Sequence, residues 1–402
     1  MDSRRNKPVA FRRRIISQTV ALSRAALSCV ALLVFCTDMA LAQVSEFQPD
    51  PTAGPGKVIV HSKFGGQIFG FDIDQNGSEG LLSESQLISG GNYLAASETF
   101  SQKTGQILKV VAETKTLDDF VTMGVVGTSV GLVEHEHVQG IYVVSRTFNT
   151  LNPLAGNKIT GVWTPPLGQE HLIMPGGISR SQGEPNVAVF GYDNGGSFIP
   201  WVFSSNVAAN TFGPVVDITD SYDFGSVPPQ LGYDSVTNQA ILGGGDGCFG
   251  CLPVIGLVDL TQATFTTFTG IGYGFVNGLA VDSQDGVFCT TTEDDANVEF
   301  YSLALQAGVN AEELPGSGGQ QYFSGADVEF DPIHKLFLVA QPISSSAPTG
   351  STIYVYDTNG NLKETLNGFS FTAIPMHIAL HPNMRSGYVD GPATGEIQSF
   401  TY

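Results

Sequence analysis

From Gly56 to Tyr402 the apolar positions follow the two-residue alternation of strands, with almost no 3.6-residue helical spacing. Runs rich in Val, Ile, Phe, Tyr and Thr are separated by Gly, Asn, Asp and Pro, the pattern of strands joined by tight turns. One unit recurs: an apolar strand ending near an acidic or polar residue, a turn, then a second apolar strand. Its copies are "YLAASETFSQKTGQILKVV" (93–111), "GLVEHEHVQGIYVVSR" (131–146), "GISRSQGEPNVAVFGYD" (177–193), "QLGYDSVTNQAILGGG" (230–245), "GLAVDSQDGVFCTTT" (278–292), "DVEFDPIHKLFLVAQ" (327–341) and "HIALHPNMRSGYVDG" (377–391). Their first core positions, Leu94, Leu132, Ile178, Leu231, Leu279, Val328 and Ile378, lie 38 to 53 residues apart. Units of about 40 to 50 residues with four strands each are the blades of a β-propeller.

The fold expected is therefore all-β, a single propeller of four-stranded blades over residues 57–402. Seven blades are expected, and six or eight stay compatible with a degenerate copy in the 38-residue interval. "KVIVHSKFGGQIFGFDID" reads as second and third strands with no first strand before them, while the C-terminal strands lack a fourth. Pairing the two chain ends meets both deficits and removes exposed sheet edges.

Residues 1–42 read as an export signal: Arg4, Arg5, Lys7 and Arg12 to Arg14 precede an apolar run from Ala25 to Phe35, and Ala40-Leu41-Ala42 offers a cleavage site. The run is shorter than the about 20 residues a membrane span needs. Residues 43–56 then form a short linker. The expected location is exported, periplasmic or secreted, with no membrane insertion after cleavage.

The signal holds seven of the 18 basic and two of the 38 acidic residues, so the mature chain carries 11 positive and 36 negative side chains, a formal charge of −25. Such a surface repels phosphate backbones and anionic lipid. Nucleic acid is thus excluded as a partner, cations and neutral ligands remain, and a monomer is expected. In an oxidising compartment Cys248 and Cys251, in "GGGDGCFGCLP", can close a small structural disulfide. A thioredoxin-like redox pair is the alternative, although no helical pattern follows Cys251. Cys289 reads as an interior thiol.

The pattern "NGLAVDSQDG" followed by an apolar strand resembles the secreted propellers grouped with regucalcin and gluconolactonase, and bacterial periplasmic repeat propellers. That resemblance implies a divalent cation, such as calcium, held at the channel mouth by a Glu, one or two Asn and an Asp. Asn277 stands at the position of a family Asn and Asp327 near that of the family Asp. The early Glu has only Glu98 or Glu134 by order, the Asp of the usual "PDG" context is missing, and His377 stands in the last blade.

Independently of any family, the residues just before the clearest repeats are Gln230, Asn277, Asp327 and His377. At a channel mouth they can converge on one cation or polar ligand, or bond backbone amides of the neighbouring blade. His135 and His137 in "LVEHEHVQG" share one strand face and offer a second metal candidate that needs further ligands. Glu293, Asp294 and Asp295 form an acidic turn.

In "FDIDQNGSEG", Asp72, Asp74, Asn76 and Gly77 match the first half of a calcium loop, but position twelve is Ser83 instead of Glu. Asn-Gly between strands is a hairpin signal, repeated in "VYDTNGNLKE" (355–364), so both stretches are expected to join third and fourth strands. Two functions follow: a binding scaffold for a small molecule, glycan or protein, or a metal-dependent lactonase or esterase with Asn277 and Asp327 as ligands and His377 moving the proton.

Overall fold

A computed structural model describes residues 47–63, 67–73, 79–87, 93–115, 124–126, 130–134, 141–145, 158–163, 173–180, 186–193, 199–206, 211–218, 230–244, 251–292, 296–315, 326–342, 351–369, 376–391 and 395–402. The chain divides into a unit Met1–Phe47 and a unit Gln48–Tyr402, and every strand belongs to the second.

The alternating runs form seven four-stranded antiparallel sheets among the described residues. The first strand is β1 (Gly54–His61). The first sheet is β2 (Gln67–Ile73), β3 (Glu79–Leu87), β4 (Tyr93–Ser101) and β5 (Ile107–Lys115). The second is β6 (Gly124–Val126), β7 (Val130–Glu134), β8 (Ile141–Ser145) and β9 (Lys158–Trp163). The third is β10 (Ile173–Arg180), β11 (Asn186–Asp193), β12 (Ile199–Asn206) and β13 (Thr211–Asp217). The fourth is β14 (Gln230–Asp234), β15 (Gln239–Gly244), β16 (Val254–Asp259) and β17 (Thr264–Thr269). The fifth is β18 (Val276–Asp282), β19 (Val287–Thr292), β20 (Asn297–Ser302) and β21 (Ala307–Glu313). The sixth is β22 (Asp327–Asp331), β23 (Leu336–Gln341), β24 (Ser351–Asp357) and β25 (Leu362–Phe369). The last is β26 (Ile378–His381), β27 (Ser386–Gly391) and β28 (Glu396–Thr401), completed by β1 on the outside of β28.

The first strand of each sheet touches the first strands of its two neighbours, in the closed order β2, β6, β10, β14, β18, β22, β26 and back to β2. This circuit is the inner wall of a β-propeller, and β1 closes the ring by antiparallel pairing from Gly54 opposite Thr401 to His61 opposite Glu396. β1 begins inside the stretch expected to be linker.

Three expectations are corrected. "KVIVHSKFGGQIFGFDID" supplies the outermost strand of the last sheet and the innermost of the first, rather than second and third strands of one blade. "FDIDQNGSEG" therefore joins a first strand to a second, whereas "VYDTNGNLKE" does join third to fourth; residues 74–78, the turn itself, lie outside the described residues. Finally, the Leu94 and Leu132 anchors fall on a third and a second strand. The inner strand β6 has only three residues, too few to show periodicity, so the apolar hairpins beside it captured the repeat.

Apolar faces of adjacent sheets meet to form the core. Between the fifth and sixth sheets lie Cys289, Val298, Phe300, Val328, Phe337 and Tyr356. At the closing seam Val60 and Ile397 pack with Ile73, Leu82 and Phe100, so both chain ends are held by burial as well as by pairing. Phe288 stacks on Tyr301 with ring centroids 4.6 Å apart.

The turns between first and second strands repeat one device. Asp234, Asp282 and Asp331 are buried, and each accepts backbone N–H bonds from residues two and three positions later. Four positions after Asp234, Asp282, Asp331 and His381, the last residues of their inner strands, the backbone turns left-handed, at Asn238 (φ 55°), Gly286 (64°), Lys335 (57°) and Arg385 (47°). These turns also tie sheet to sheet: Lys335 Nζ reaches both Asp282 oxygens at 2.8 and 3.0 Å, Tyr402 Oη donates to Asp331 Oδ2 at 2.8 Å, and His381 Nε2 meets Gln102 Oε1 at 2.9 Å across the closing seam. No helix among the described residues is long and apolar enough to cross a membrane.

Candidate ligand-binding rim

All inner strands start on the same side of the ring, because each is entered from the outer strand of the sheet before it. Gln230 is the first residue of β14, Asn277 the second of β18, Asp327 the first of β22, and His377 immediately precedes β26. The four expected residues thus share one rim on four consecutive sheets.

Asp327 and His377 are brought into direct relation. Asp327 Oδ1 accepts the N–H of Val328 at 2.9 Å, and Oδ2 accepts the N–H of Ile378 at 2.8 Å, which fastens β22 to β26. Asn277 comes close through its neighbour Gly278: a Cβ placed there would lie 2.7 Å from Asp327 Cα and from Val328 N. Only glycine lets β18 approach β22 so closely. Gln230 stands one sheet further round, and the structure gives it no bond to Asp327 or His377.

The residue that sequence reasoning missed is Asp390 on β27. It is fully buried, its Oδ2 lies 2.6 Å from His377 Nδ1, and its Oδ1 accepts the His377 backbone N–H at 2.7 Å. His377 keeps 23% of its side chain exposed. Its ring is therefore gripped through Nδ1 while part of the side chain stays open to solvent. Withdrawal from water would lower the imidazole pKa, but the charge and hydrogen bond of Asp390, with the charge of Asp327, raise it from 6.5 to about 9. Burial raises Asp327 from 3.8 to about 6, against the opposing charge of His377. At neutral pH His377 is an imidazolium, with an N–H on each nitrogen.

Other acidic side chains are used structurally. Glu98 lies buried on the third strand β4, away from the inner wall, and accepts the N–H of Lys63 at 3.1 and 3.2 Å. Glu299, equally buried on β20, accepts the hydroxyls of Thr290 and Thr292 at 3.0 and 3.1 Å. Asp357, in the Asn-Gly hairpin, spends Oδ1 on the N–H groups of Asn359 and Asn361. Glu134 ends β7, with its side chain undescribed. His135, His137, Cys248, Glu293, Asp294 and Asp295 lie outside the described residues. Cys251 is disulfide-bonded, and Cys289 is a buried free thiol whose pKa burial drives upward. Among the described residues no group of three or more His, Cys, Asp or Glu side chains is placed to hold a metal ion.

A ring of four-stranded sheets with an inner wall of first strands defines the class: a β-propeller. Among solved structures the chain is similar to U3-55K, a WD40 β-propeller protein, with a TM-score of 0.57 and 11% identity over 88% of this chain and 100% of the other. No protein-family model matches the sequence, and no curated protein is similar to it in sequence.

Proposed function

We propose that the mature chain is an exported, non-enzymatic propeller that holds a ligand over the rim where the inner strands begin. The observation that carries this reading is His377: a part-exposed ring, next to the start of an inner strand, fixed through Nδ1 by a fully buried carboxylate. Pre-set donors of this kind fix the orientation of a bound ligand at little entropic cost. Export is supported by the basic flank and apolar run of residues 1–42, and by the disulfide-bonded Cys251, which suits an oxidising compartment.

The lactonase or esterase reading has less support. A proton shuttle works best with a pKa near the working pH, whereas His377 is held about two units above it. Asp327, the expected metal ligand, already gives one oxygen to each of two backbone N–H groups.

The test is a thermal-shift screen of the mature protein against defined neutral sugars, simple lactones and calcium, with His377→Gln in parallel. A ligand present at 100 times its Kd adds about 2.7 kcal/mol to stability. The scaffold reading expects such a shift in the wild type and its loss in His377→Gln. Lactone hydrolysis abolished by chelator and by Asp327→Asn would overturn it.

A further inference from the structure

The connection from β17 into β18, "GIGYGF" (270–275), enters the inner wall just before Asn277. Tyr273 within it is 46% exposed, although the backbone around it is closely tethered. The hydroxyl of the buried Tyr301 accepts the Ile271 N–H at 3.0 Å and donates to the Ile271 carbonyl at 2.9 Å. The Tyr273 N–H reaches Thr292 Oγ1 at 3.4 Å, and that hydroxyl in turn donates to buried Glu299. Gly274 gives its N–H at 2.9 Å to the carbonyl of Cys251, itself fixed by a disulfide. Gly272 and Gly274 take positive φ, 93° and 81°, and a Cβ at Gly272 would run into the Glu299 carboxylate and lie 2.8 Å from Thr292 Oγ1. Two glycines and a set of buried polar partners thus hold one aromatic residue in an exposed position.

Leu252, also exposed, stands on the adjoining segment 251–253, which meets this connection again where Gly270 donates to the Pro253 carbonyl at 2.8 Å. The other large apolar side chains exposed among the described residues lie on the outer strands β5, β21 and β25 or in turns at the opposite end of the sheets. Among the described residues, the exposed large apolar surface on this side is therefore one ring and one isobutyl group, far below the about 800 Å² that each partner gives to a protein interface.

We propose that Tyr273 is a stacking platform for one sugar ring of a neutral glycan. A sugar offers an apolar C–H face to an aromatic ring and keeps its hydroxyls in water, which suits a tyrosine left nearly half exposed. An apolar small molecule instead needs a pocket that buries about 70–90% of its surface. Tyrosine binds at low conformational-entropy cost, and the tethers have ordered its backbone beforehand. Charge excludes acidic glycans, since the chain carries a formal −20 and the mature chain −25. This inference deepens the rim reading by naming its ligand class, and rests on that reading for the side of the ring where the ligand sits.

Affinity electrophoresis of the mature protein tests it, in native gels containing dextran, galactomannan, arabinoxylan or hydroxyethylcellulose, with polygalacturonate as the anionic control. The wild type is expected to be retarded by at least one neutral polysaccharide and not by polygalacturonate. Tyr273→Ala should weaken that retardation at least about fivefold with an unchanged thermal melt, whereas Tyr273→Phe and Tyr273→Trp keep it. Retardation lost in His377→Gln but indifferent to Tyr273→Ala overturns this inference and leaves the rim reading standing. The reverse result supports it and removes His377 from that reading. A wild type that no neutral polysaccharide retards overturns it as well.

Discussion

Lys335 holds the seam between the fifth and sixth sheets, and replacing it with Met isolates one buried charge. Its ammonium lies 2.8 and 3.0 Å from the two oxygens of Asp282, which is fully buried, while Lys335 itself is 22% exposed. Methionine keeps the stem, and the left-handed backbone (φ 57°) costs Lys and Met alike. Lys335→Met then leaves a buried carboxylate supported by the N–H groups of Gln284 and Asp285 alone among the partners named. Breaking a buried pair costs about 3 to 5 kcal/mol, and the part-exposed ammonium argues for about 3.

At about 2.1 cal/mol/K per residue, that loss lowers Tm of a domain this size by about 4 °C. The pH dependence sharpens the test. Burial already raises the Asp282 pKa above 3.8, with Lys335 opposing, so removing Lys335 raises it further. A raised folded-state pKa leaves stability intact below the ordinary value and removes it as pH rises through the folded value. The Lys335→Met deficit should therefore be small at pH 4 and full at pH 8. Asp282→Asn combined with Lys335→Met should recover most of the loss. Equal deficits at both pH values, or a double variant as unstable as the sum of the singles, would refute the reasoning; differential scanning calorimetry reads both.

Two further outcomes follow. Gly278→Ala sets a Cβ 2.7 Å from the Asp327 backbone, a contact with no flexible atom to yield, so it should cost about 1 to 3 kcal/mol in urea unfolding. His377→Gln should cost about 3 kcal/mol below pH 6.5, where the raised imidazole pKa contributes in full. That cost should fade as pH rises through about 9, and denaturant midpoints at pH 6 and pH 10 would show it.

The later repeats were legible because Asp234, Asp282 and Asp331 end inner strands with a polar residue that must cap a turn, marking period and strand order together. Around β6, three residues cannot carry a period, and β4 and β5 mimicked a first hairpin. At the rim, Asp327 and His377 were readable from their places before inner strands. Asp390 was not: a lone carboxylate inside an apolar strand gains meaning only from the cross-strand register, in which its N–H donates to the His377 carbonyl at 3.2 Å.

The central claim is that His377 is a fixed cationic donor rather than a proton shuttle, and imidazole ¹⁵N NMR of the labelled mature protein tests it most directly. The account predicts both ring nitrogens protonated at pH 7.5, with titration near 9 and the signal identified by its loss in His377→Gln. A neutral His377 ring at pH 7.5, titrating near 6.5, would contradict it.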